Sequence, residues 1–147
     1  MIGLPENLKN KRVLDVKSGN GTHAFAAEKR GGIVVSLSDD PAPLNILRSE
    51  RKSEVEFKKG NVMDLNSHNI GAHDVVLMYD VLDHTTEKQK CIDKANSVLA
   101  SSGKLIFDVT LDGQYSFEYF EKLLKRMGYP NVYKFEDTTK TVIRGEK

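Results

Sequence analysis

The sequence predicts a three-layer α/β sandwich, in which helices cover both faces of a mostly parallel, seven-stranded sheet. Strand-like and helix-like segments alternate from residue 12 onward, which is the pattern of successive βαβ units. The last two strand-like segments, at 132–136 and 141–145, are joined by only four residues. So short a connection permits an antiparallel hairpin and excludes a parallel crossover. A C-terminal antiparallel hairpin is therefore expected at the end of the sheet.

The first half of the chain is expected to hold three strands and two helices. Short runs of apolar and β-branched residues predict strands at 12–16, 33–37 and 55–59. Thr22 is expected to cap the first helix, and Gly31 with Gly32 to end it. Two prolines break the chain before a short second helix at 44–51.

The second half is expected to add two parallel strands, two helices and the hairpin. The parallel strands are predicted at 74–79 and 104–109. A turn at 101–103 precedes the second of them, and between them Thr85 or Thr86 is expected to cap a helix. The apolar side chains of that helix share one face: Cys91, Ile92, Ala95, Val98 and Leu99. Ser116 is expected to cap the last helix, which a glycine ends.

The composition fits one globular domain over residues 1–147. Hydrophobic residues make up 39% and charged residues 29% of the chain, which argues against disorder. No stretch approaches the roughly 20 apolar residues of a membrane span, so no membrane contact is expected. Cys91 is the single cysteine, which excludes an internal disulfide and fits a cytoplasmic location. No Cys/His cluster has zinc spacing, so no metal is expected. The net charge of +1 gives no strong attraction to nucleic acid.

A binding crevice is expected at the carboxyl ends of the first four strands, because ligands of open parallel sheets bind there. The loops at 17–22, 38–40, 61–64 and 80–84 would line this crevice. A turn of Gly19, Asn20 and Gly21 follows the first strand, and it would let a ligand approach the backbone, since glycine has no Cβ. A plain strand-to-helix turn is the alternative interpretation of this segment.

Five segments resemble, in order, the motifs of the class I S-adenosyl-L-methionine (SAM)-dependent methyltransferases, a Rossmann-like family. The segment VLDVKSGNGTHAFAAEKRGGIVVSLSDD resembles the first motif, V-L-D-[IV]-G-x-G-x-G. Resemblances to later motifs are carried by EFKKGNVMDL, HDVVLMYDVLDHT, ANSVLASSGKLIFDV and LLKRMGYPNV. The resemblance runs nearly the whole chain and is nearest to methyltransferases of small molecules and of tRNA wobble uridines. It implies a transferase with SAM as cofactor and a small molecule, nucleotide or tRNA as acceptor.

The resemblance also implies roles for individual residues. Cofactor contacts are implied for Asp15, Lys17, Gly19, Gly21, Asp39, Val62, Met63, Asp64 and Tyr79. Among these, the two glycines would hold the methionine portion of SAM, and Asp64 would contact the adenine amino group. The segment 79–84 would border the transferred methyl group and the acceptor.

Two residues depart from the family pattern inside the predicted cofactor site. Lys17 occupies the position of the first glycine of the motif. There its charge would either repel the sulfonium group of SAM or pair with the SAM carboxylate. Ser38 stands in place of the ribose-binding acid, and Asp39 serves instead if the second strand ends one residue later. Uncompensated, the two changes would cost roughly 3–6 kcal/mol of binding free energy. A catalytically inactive interaction or regulatory module is therefore an alternative to the enzyme.

Candidates for acid–base chemistry are few. His84 is the main candidate for a general base, with a local hydrogen bond at a helix start as the alternative. Asp80 would orient an acceptor amine or hydroxyl, or else cap the next helix. His23 follows the glycine turn and is expected at the surface rather than in the crevice. His68 and His73 are expected to be solvated in a polar loop.

Other interpretations stay open at this point. Only residues 1–11 precede the first strand, so the helical cap that relatives carry there is not expected. A protein partner, a second subunit or the substrate would then close the site. Short basic clusters give weak support to an RNA methyltransferase or its accessory subunit. A dinucleotide-binding oxidoreductase is disfavoured, because the third glycine of G-x-G-x-x-G is missing.

Overall fold

The computed structural model describes residues 2–66 and 70–147. In this part of the chain the strands are β1 Arg12–Asp15, β2 Ile33–Ser38, β3 Glu56–Lys59, β4 His73–Met78, β5 Leu99–Val109, β6 Asn131–Glu136 and β7 Thr141–Glu146. The helices are α1 Thr22–Lys29, α2 Ala42–Arg51, α3 Lys88–Ser97 and α4 Phe117–Arg126. Short 3₁₀ turns at Val62–Asp64 and Leu82–His84 follow β3 and β4. None of the helices within these ranges has the length and apolarity needed to cross a membrane.

The seven strands form one sheet in the order β3-β2-β1-β4-β5-β7-β6. The pairs among β1 to β5 are parallel. In contrast, β7 is antiparallel to both of its neighbours, β5 and β6. The predicted Rossmann-like fold class, with its C-terminal antiparallel hairpin, is confirmed. The strand order reverses direction between β1 and β4, and this switch point sets the location of a ligand crevice.

Alternation along the strands creates two hydrophobic layers. Odd-numbered residues of β4, such as Val75 and Leu77, pack with Ala24 and Ala27 of α1. Even-numbered residues, such as Val76, pack on the opposite face with α3 and α4. Helices therefore cover both faces of the sheet.

The predicted turn before the fifth strand is wrong, because residues 101–103 lie inside β5. The pairing of β4 with β5 advances from His73↔Leu99 to Val75↔Lys104, so extra residues of β5 bulge out of the ladder. Gly103 allows this bulge, since a Cβ there would lie 2.6 Å from Leu99 Cγ.

Two predicted helix caps are also wrong, whereas a third is confirmed. Thr22 is the first residue of α1, and Gly21, with φ of 89°, is its N-cap. Glu87 is the N-cap of α3, and Thr85 instead accepts the Glu87 N–H at 3.0 Å. Ser116 caps α4 as predicted, because its side chain accepts the Tyr119 N–H at 3.2 Å.

His73 is buried at the start of β4, so the prediction that it is solvated is wrong. Its backbone pairs with Leu99, and burial lowers the pKa of its imidazole. The corresponding prediction for His68 lies outside the described residues.

Candidate active site

A cavity of about 540 Å³ opens at the carboxyl ends of β1, β2, β3 and β4. Its walls come from residues 16–19, 37–40 and 60–63, together with Asp80, Val81, His84, Thr85, Glu87 and Cys91. All four predicted loops therefore meet at one site, at the switch point of the sheet. A volume in this range accommodates a small organic ligand.

The two glycines of the turn after β1 have different surroundings: Gly19 faces the cavity, whereas Gly21 packs against the protein. Gly19 has φ of 55°, and a Cβ built there would meet no atom of the described chain within 4 Å. Gly21 has φ of 89°, and its Cβ would come within 2.6 Å of the Phe25 ring. Gly19 thus leaves the backbone open to the cavity, whereas Gly21 lets α1 begin tightly against the turn.

Asp15 lies beneath this turn rather than in the cavity wall. When Asp15 is ionised, its Oδ2 accepts a hydrogen bond from Ser36 Oγ at 2.8 Å, and no described residue partners its buried Oδ1. Burial raises the pKa of Asp15 to about 7, against the opposing hydrogen bonds from Ser36 and from the Lys17 N–H. A substantial fraction of Asp15 is therefore protonated at neutral pH.

The hydrogen-bond network around Asp15 supports the protonated form independently. Ser36 Oγ lies 2.5 Å from Ser18 Oγ, and Ser18 Oγ donates to the carbonyl of Leu37 at 2.7 Å. The hydroxyl groups of Ser36 and Ser18 carry two protons in total, whereas three hydrogen bonds link Asp15, Ser36, Ser18 and Leu37. A proton on Asp15 satisfies all three, with donation running from Asp15 through Ser36 and Ser18 to Leu37. This chain ties β1, β2 and the glycine turn together beneath the cavity.

Asp80 is the centre of a charged cluster at the end of β4. Its Oδ1 accepts from His84 Nε2 at 2.8 Å and from Lys140 Nζ at 3.3 Å. Lys17 Nζ lies 3.3 Å from Oδ2 and donates to the main-chain oxygen of Asp80 at 2.8 Å. The hydrogen bond from His84, helped by the two lysines, lowers the pKa of Asp80 to about 2. Asp80 is therefore ionised throughout the physiological range.

Asp80 also has a left-handed backbone, with φ of 58°. Its N–H donates to Asp108 Oδ1 at 2.8 Å, which fastens the loop after β4 to the end of β5. A left-handed non-glycine residue is costly, and here it stands at the cavity wall. Such strain is typical of functional loops.

Lys140 was not identified from the sequence. It comes from the turn between β6 and β7, and its Nζ lies 3.6 Å from Asp83 Oδ2 and 3.8 Å from Asp108 Oδ2. Burial alone would lower the pKa of Lys140, but the negative charges of Asp108, Asp80 and Asp83 raise it. No local motif marks this residue, because only the pairing of β7 with β5 brings the turn to the site.

The cavity brings together most, but not all, of the predicted site residues. Its lining includes Lys17, Gly19, Asp39, Val62, Met63, Asp80 and His84. The strand β2 ends at Ser38, one residue later than predicted, and Asp39 lies in the cavity wall. Its contact with the ribose stays a prediction. Asp64 instead accepts the Asn61 N–H through Oδ2 at 3.1 Å. Tyr79 lies on the opposite face of β4 and lines a second cavity.

Residues 14–107 match the model of a family described as "Methyltransferase domain". The match covers more than half of the chain. This chain belongs to the methyltransferase domain family. The resemblance noted in the sequence is thereby confirmed, and membership supports SAM as the cofactor.

Curated relatives include ubiquinone biosynthesis O-methyltransferases. The protein of Acinetobacter baylyi is 26% identical over 139 residues, which cover 87% of this chain and 58% of the relative. That of Vibrio atlanticus is 29% identical over 128 residues, which cover 82% of this chain and 54% of the relative. The chain thus spans little more than half the length of these relatives.

Solved structures confirm the fold. The 1,6-didemethyltoxoflavin-N1-methyltransferase of Burkholderia thailandensis, bound to 1,6-didemethyltoxoflavin and S-adenosylhomocysteine, superposes with a TM-score of 0.77 at 16% identity, covering 95% of this chain and 72% of that one. The magnesium protoporphyrin IX methyltransferase of Synechocystis, with bound SAM, gives a TM-score of 0.77 at 18% identity, covering 96% and 72%. At these identities the likeness shows the shared fold.

Proposed function

We propose that this chain is a SAM-dependent methyltransferase domain that acts on a small-molecule acceptor. The observation that carries the proposal is the 540 Å³ cavity, whose walls unite the loops after the first four strands. Membership of the methyltransferase domain family supports the activity. The names of the curated relatives support a small-molecule acceptor and O-methylation.

The residues of the cavity fit SAM by their chemistry. Leu37, Val62 and Met63 would contact the adenine ring, and Asp39 would accept hydrogen bonds from the ribose hydroxyls. The open backbone at Gly19 would admit the methionine portion. The contact of Asp64 with the adenine amino group stays a prediction, since one of its oxygens is already bonded to Asn61.

The charges of the cavity match those of SAM. Asp39, Asp40, Asp80 and Glu87 line it, and Lys17 is the one lysine or arginine among its described lining residues. The acids would stabilise the sulfonium and ammonium groups, and Lys17 would pair with the carboxylate. On this proposal, Lys17 would replace the motif glycine without loss of cofactor binding.

The chain's own contribution to methyl transfer would be positioning and exclusion of water. SAM supplies an activated methyl group when bound. Asp80, held ionised by its three partners, would fix the end of the cavity near β4. His84 would orient Asp80 rather than act as a free base, because its Nε2 is already engaged at 2.8 Å. Asp108 would hold the backbone of Asp80 from below.

Three further predictions concern the number of domains, the cellular location and the partners of the chain. One continuous sheet of seven strands supports residues 1–147 as a single domain. A cytoplasmic location stays a prediction, based on the single cysteine of the chain. A partner protein or second subunit over the cavity mouth stays a prediction.

Isothermal calorimetry with SAM and S-adenosylhomocysteine (SAH) tests the proposal. One SAH per chain with a dissociation constant in the micromolar range is expected. Absence of binding at millimolar ligand would overturn the proposed function.

A further inference from the structure

Two lysines share the carboxylate of Asp80, and each contacts a different oxygen. Lys17 Nζ lies 3.3 Å from Oδ2, and Lys140 Nζ lies 3.3 Å from Oδ1. Lys17 belongs to the loop after β1 and lines the cofactor cavity. Lys140 belongs to the turn between β6 and β7 and lines the second cavity, of about 240 Å³. The carboxylate of Asp80 therefore joins two ammonium groups that face different spaces.

The two lysines differ in how firmly they are held. Lys140 Nζ also lies 3.6 Å from Asp83 Oδ2 and 3.8 Å from Asp108 Oδ2, and 27% of its side chain is exposed. Among the described ion pairs, Lys17 has Asp80 as its one acidic partner, and 45% of its side chain is exposed. Because a single exposed ion pair contributes little free energy, Lys17 can leave Asp80 easily, whereas three carboxylates keep Lys140 in place.

The carboxylates around Lys140 are themselves fixed by hydrogen bonds. Asp108 Oδ1 accepts the N–H of Asp80 at 2.8 Å. Asp83 accepts the N–H of Thr110 at 2.9 Å and its hydroxyl at 2.7 Å. These bonds join the loop after β4 to the end of β5, and the ammonium group of Lys140 lies where the three carboxylates meet. Lys140 is thus the positive charge that these carboxylates share.

We propose that Lys140 is a positioning residue, which holds Asp80 while Lys17 leaves it to bind the carboxylate of the cofactor. The proposal rests on the proposed function, in which Lys17 pairs with the carboxylate of SAM. Asp80 and that carboxylate compete for one ammonium group. With Lys140 present, Asp80 keeps a positive partner after Lys17 has left. Without Lys140, Asp80 would retain Lys17 more tightly, and the cofactor would bind less well.

The exchange of Lys17 concerns only ligands that carry the amino-acid carboxylate. SAM and SAH have this group, whereas 5′-methylthioadenosine lacks it. Loss of the charge of Lys140 is therefore expected to weaken SAH and to spare methylthioadenosine. A general loosening of the loop after β4, which lines the cofactor cavity through Asp80, Val81 and His84, would instead weaken both ligands.

NMR of the lysine side chains tests the exchange directly. Titration of SAH into protein with ¹³C-labelled lysine is expected to shift the Cε signal of Lys17, which lies next to the ammonium group, and to leave that of Lys140 nearly in place. Methylthioadenosine is expected to shift the Lys17 signal much less. A Lys17 signal that stays in place at saturating SAH overturns the exchange, and so does a Lys140 signal that moves as far as that of Lys17.

Calorimetry of charge variants tests the role of Lys140. Lys140→Met is expected to weaken SAH binding about threefold to fivefold, with methylthioadenosine little changed. Lys140→Arg keeps the positive charge and is expected to bind SAH within about twofold of the wild type. Lys122→Met, on the exposed face of α4, is the matched control. An equal loss in Lys140→Arg and Lys140→Met would contradict a role of the charge.

A double-mutant cycle shows whether Lys140 acts through Lys17. In Lys17→Met no ammonium group remains to be exchanged, so the addition of Lys140→Met is expected to change the SAH dissociation constant by less than about twofold. The same loss in the Lys17→Met background as in the wild type would mean that Lys140 acts independently of Lys17, and it would overturn the proposal.

Failure of the exchange is distinguishable from failure of the proposed function. A wild type that binds no SAH removes the proposed function itself. SAH binding that is equally tight in the wild type and in Lys140→Met overturns the role of Lys140 alone. Equal losses of SAH and methylthioadenosine binding in Lys140→Met also overturn it, because they indicate a general change of the cavity.

Discussion

The ammonium group of Lys17 lies 2.8 Å from the main-chain oxygen of Asp80 and 3.3 Å from its carboxylate oxygen Oδ2. This contact joins the loop after β1 to the loop after β4 across the switch point of the sheet. Lys17 stands where the family motif has glycine. Because SAM carries one carboxylate, which would compete with Asp80 for Lys17, the residue that departs most from the motif would recognise the cofactor.

Replacement of Lys17 by methionine tests this role. Lys17→Met is expected to weaken SAH binding about tenfold or more, since it removes a charged hydrogen bond. Binding of 5′-methylthioadenosine, which lacks the amino-acid portion, is expected to stay unchanged. Calorimetry measures both ligands, with Lys29→Met on the exposed end of α1 as the matched control. Equal or tighter SAH binding by Lys17→Met would mean that the lysine hinders the cofactor.

Asp39 is expected to bind the ribose of the cofactor, because β2 ends at Ser38 and places Asp39 in the cavity wall. Asp39→Asn is expected to weaken SAH and adenosine by about tenfold, and to leave the weak binding of adenine, which has no ribose, unaffected. Competition against a fluorescent adenosine analogue measures all three. A matched control is Glu118→Gln on the exposed face of α4. Equal losses for adenine and adenosine would speak against a ribose contact.

Gly19 and Gly21 are expected to respond differently to substitution by alanine. Both have positive φ, but only Gly21 lacks room for a Cβ. Gly19→Ala is expected to cost about 1 kcal/mol of folding free energy and to weaken SAH binding, because its methyl group projects into the cavity. Gly21→Ala is expected to cost more, about 2–4 kcal/mol, through the added clash with Phe25. Urea denaturation measures both costs, and the reverse ranking would contradict the division of roles.

Asp15 is expected to make stability depend on pH. The folded state keeps its proton up to about pH 7, whereas the ordinary value is 3.8, so the folded state binds more protons in between. The free energy of unfolding should therefore fall as pH rises through this window. Asp15→Asn removes the titration, and its stability relative to wild type should grow by up to about 4 kcal/mol from pH 4 to pH 8.

Denaturation curves across this pH range, with Asp93→Asn on the exposed side of α3 as control, measure the effect of Asp15. A constant difference between Asp15→Asn and wild type would show that folding leaves the pKa of Asp15 unchanged. The proton chain through Ser36 and Ser18 would then be incorrect.

Much of the fold follows from local sequence signals. The βαβ alternation and the short hairpin connection suffice for the sheet, and the loops after β1 to β4 fall where those signals end. The bulge at 101–103 was missed, because serines and a glycine in sequence are typical of a turn. Only the tight packing of Gly103 against Leu99 distinguishes the bulge from a turn.

The site was predictable where it depends on loops and less so where it depends on side-chain direction. Tyr79 follows the alternation of Val75 and Leu77, which face α1, so strand parity alone would have assigned it to that face. Lys140 has no such signal, because its place beside Asp80 depends on a long-range strand pairing. His23 is half-buried, because its ring stacks on Tyr79, a partner distant in the sequence that no local signal indicates.

The central claim, that the loops after the first four strands form the cofactor site, is tested most directly by NMR. Titration of SAH into the ¹⁵N-labelled protein is expected to shift the backbone amide signals of Ser18, Gly19, Asp39, Met63 and Val81. Signals from the outer face of α4 should stay in place. Shifts confined to other parts of the molecule, or none at millimolar SAH, would contradict the claim.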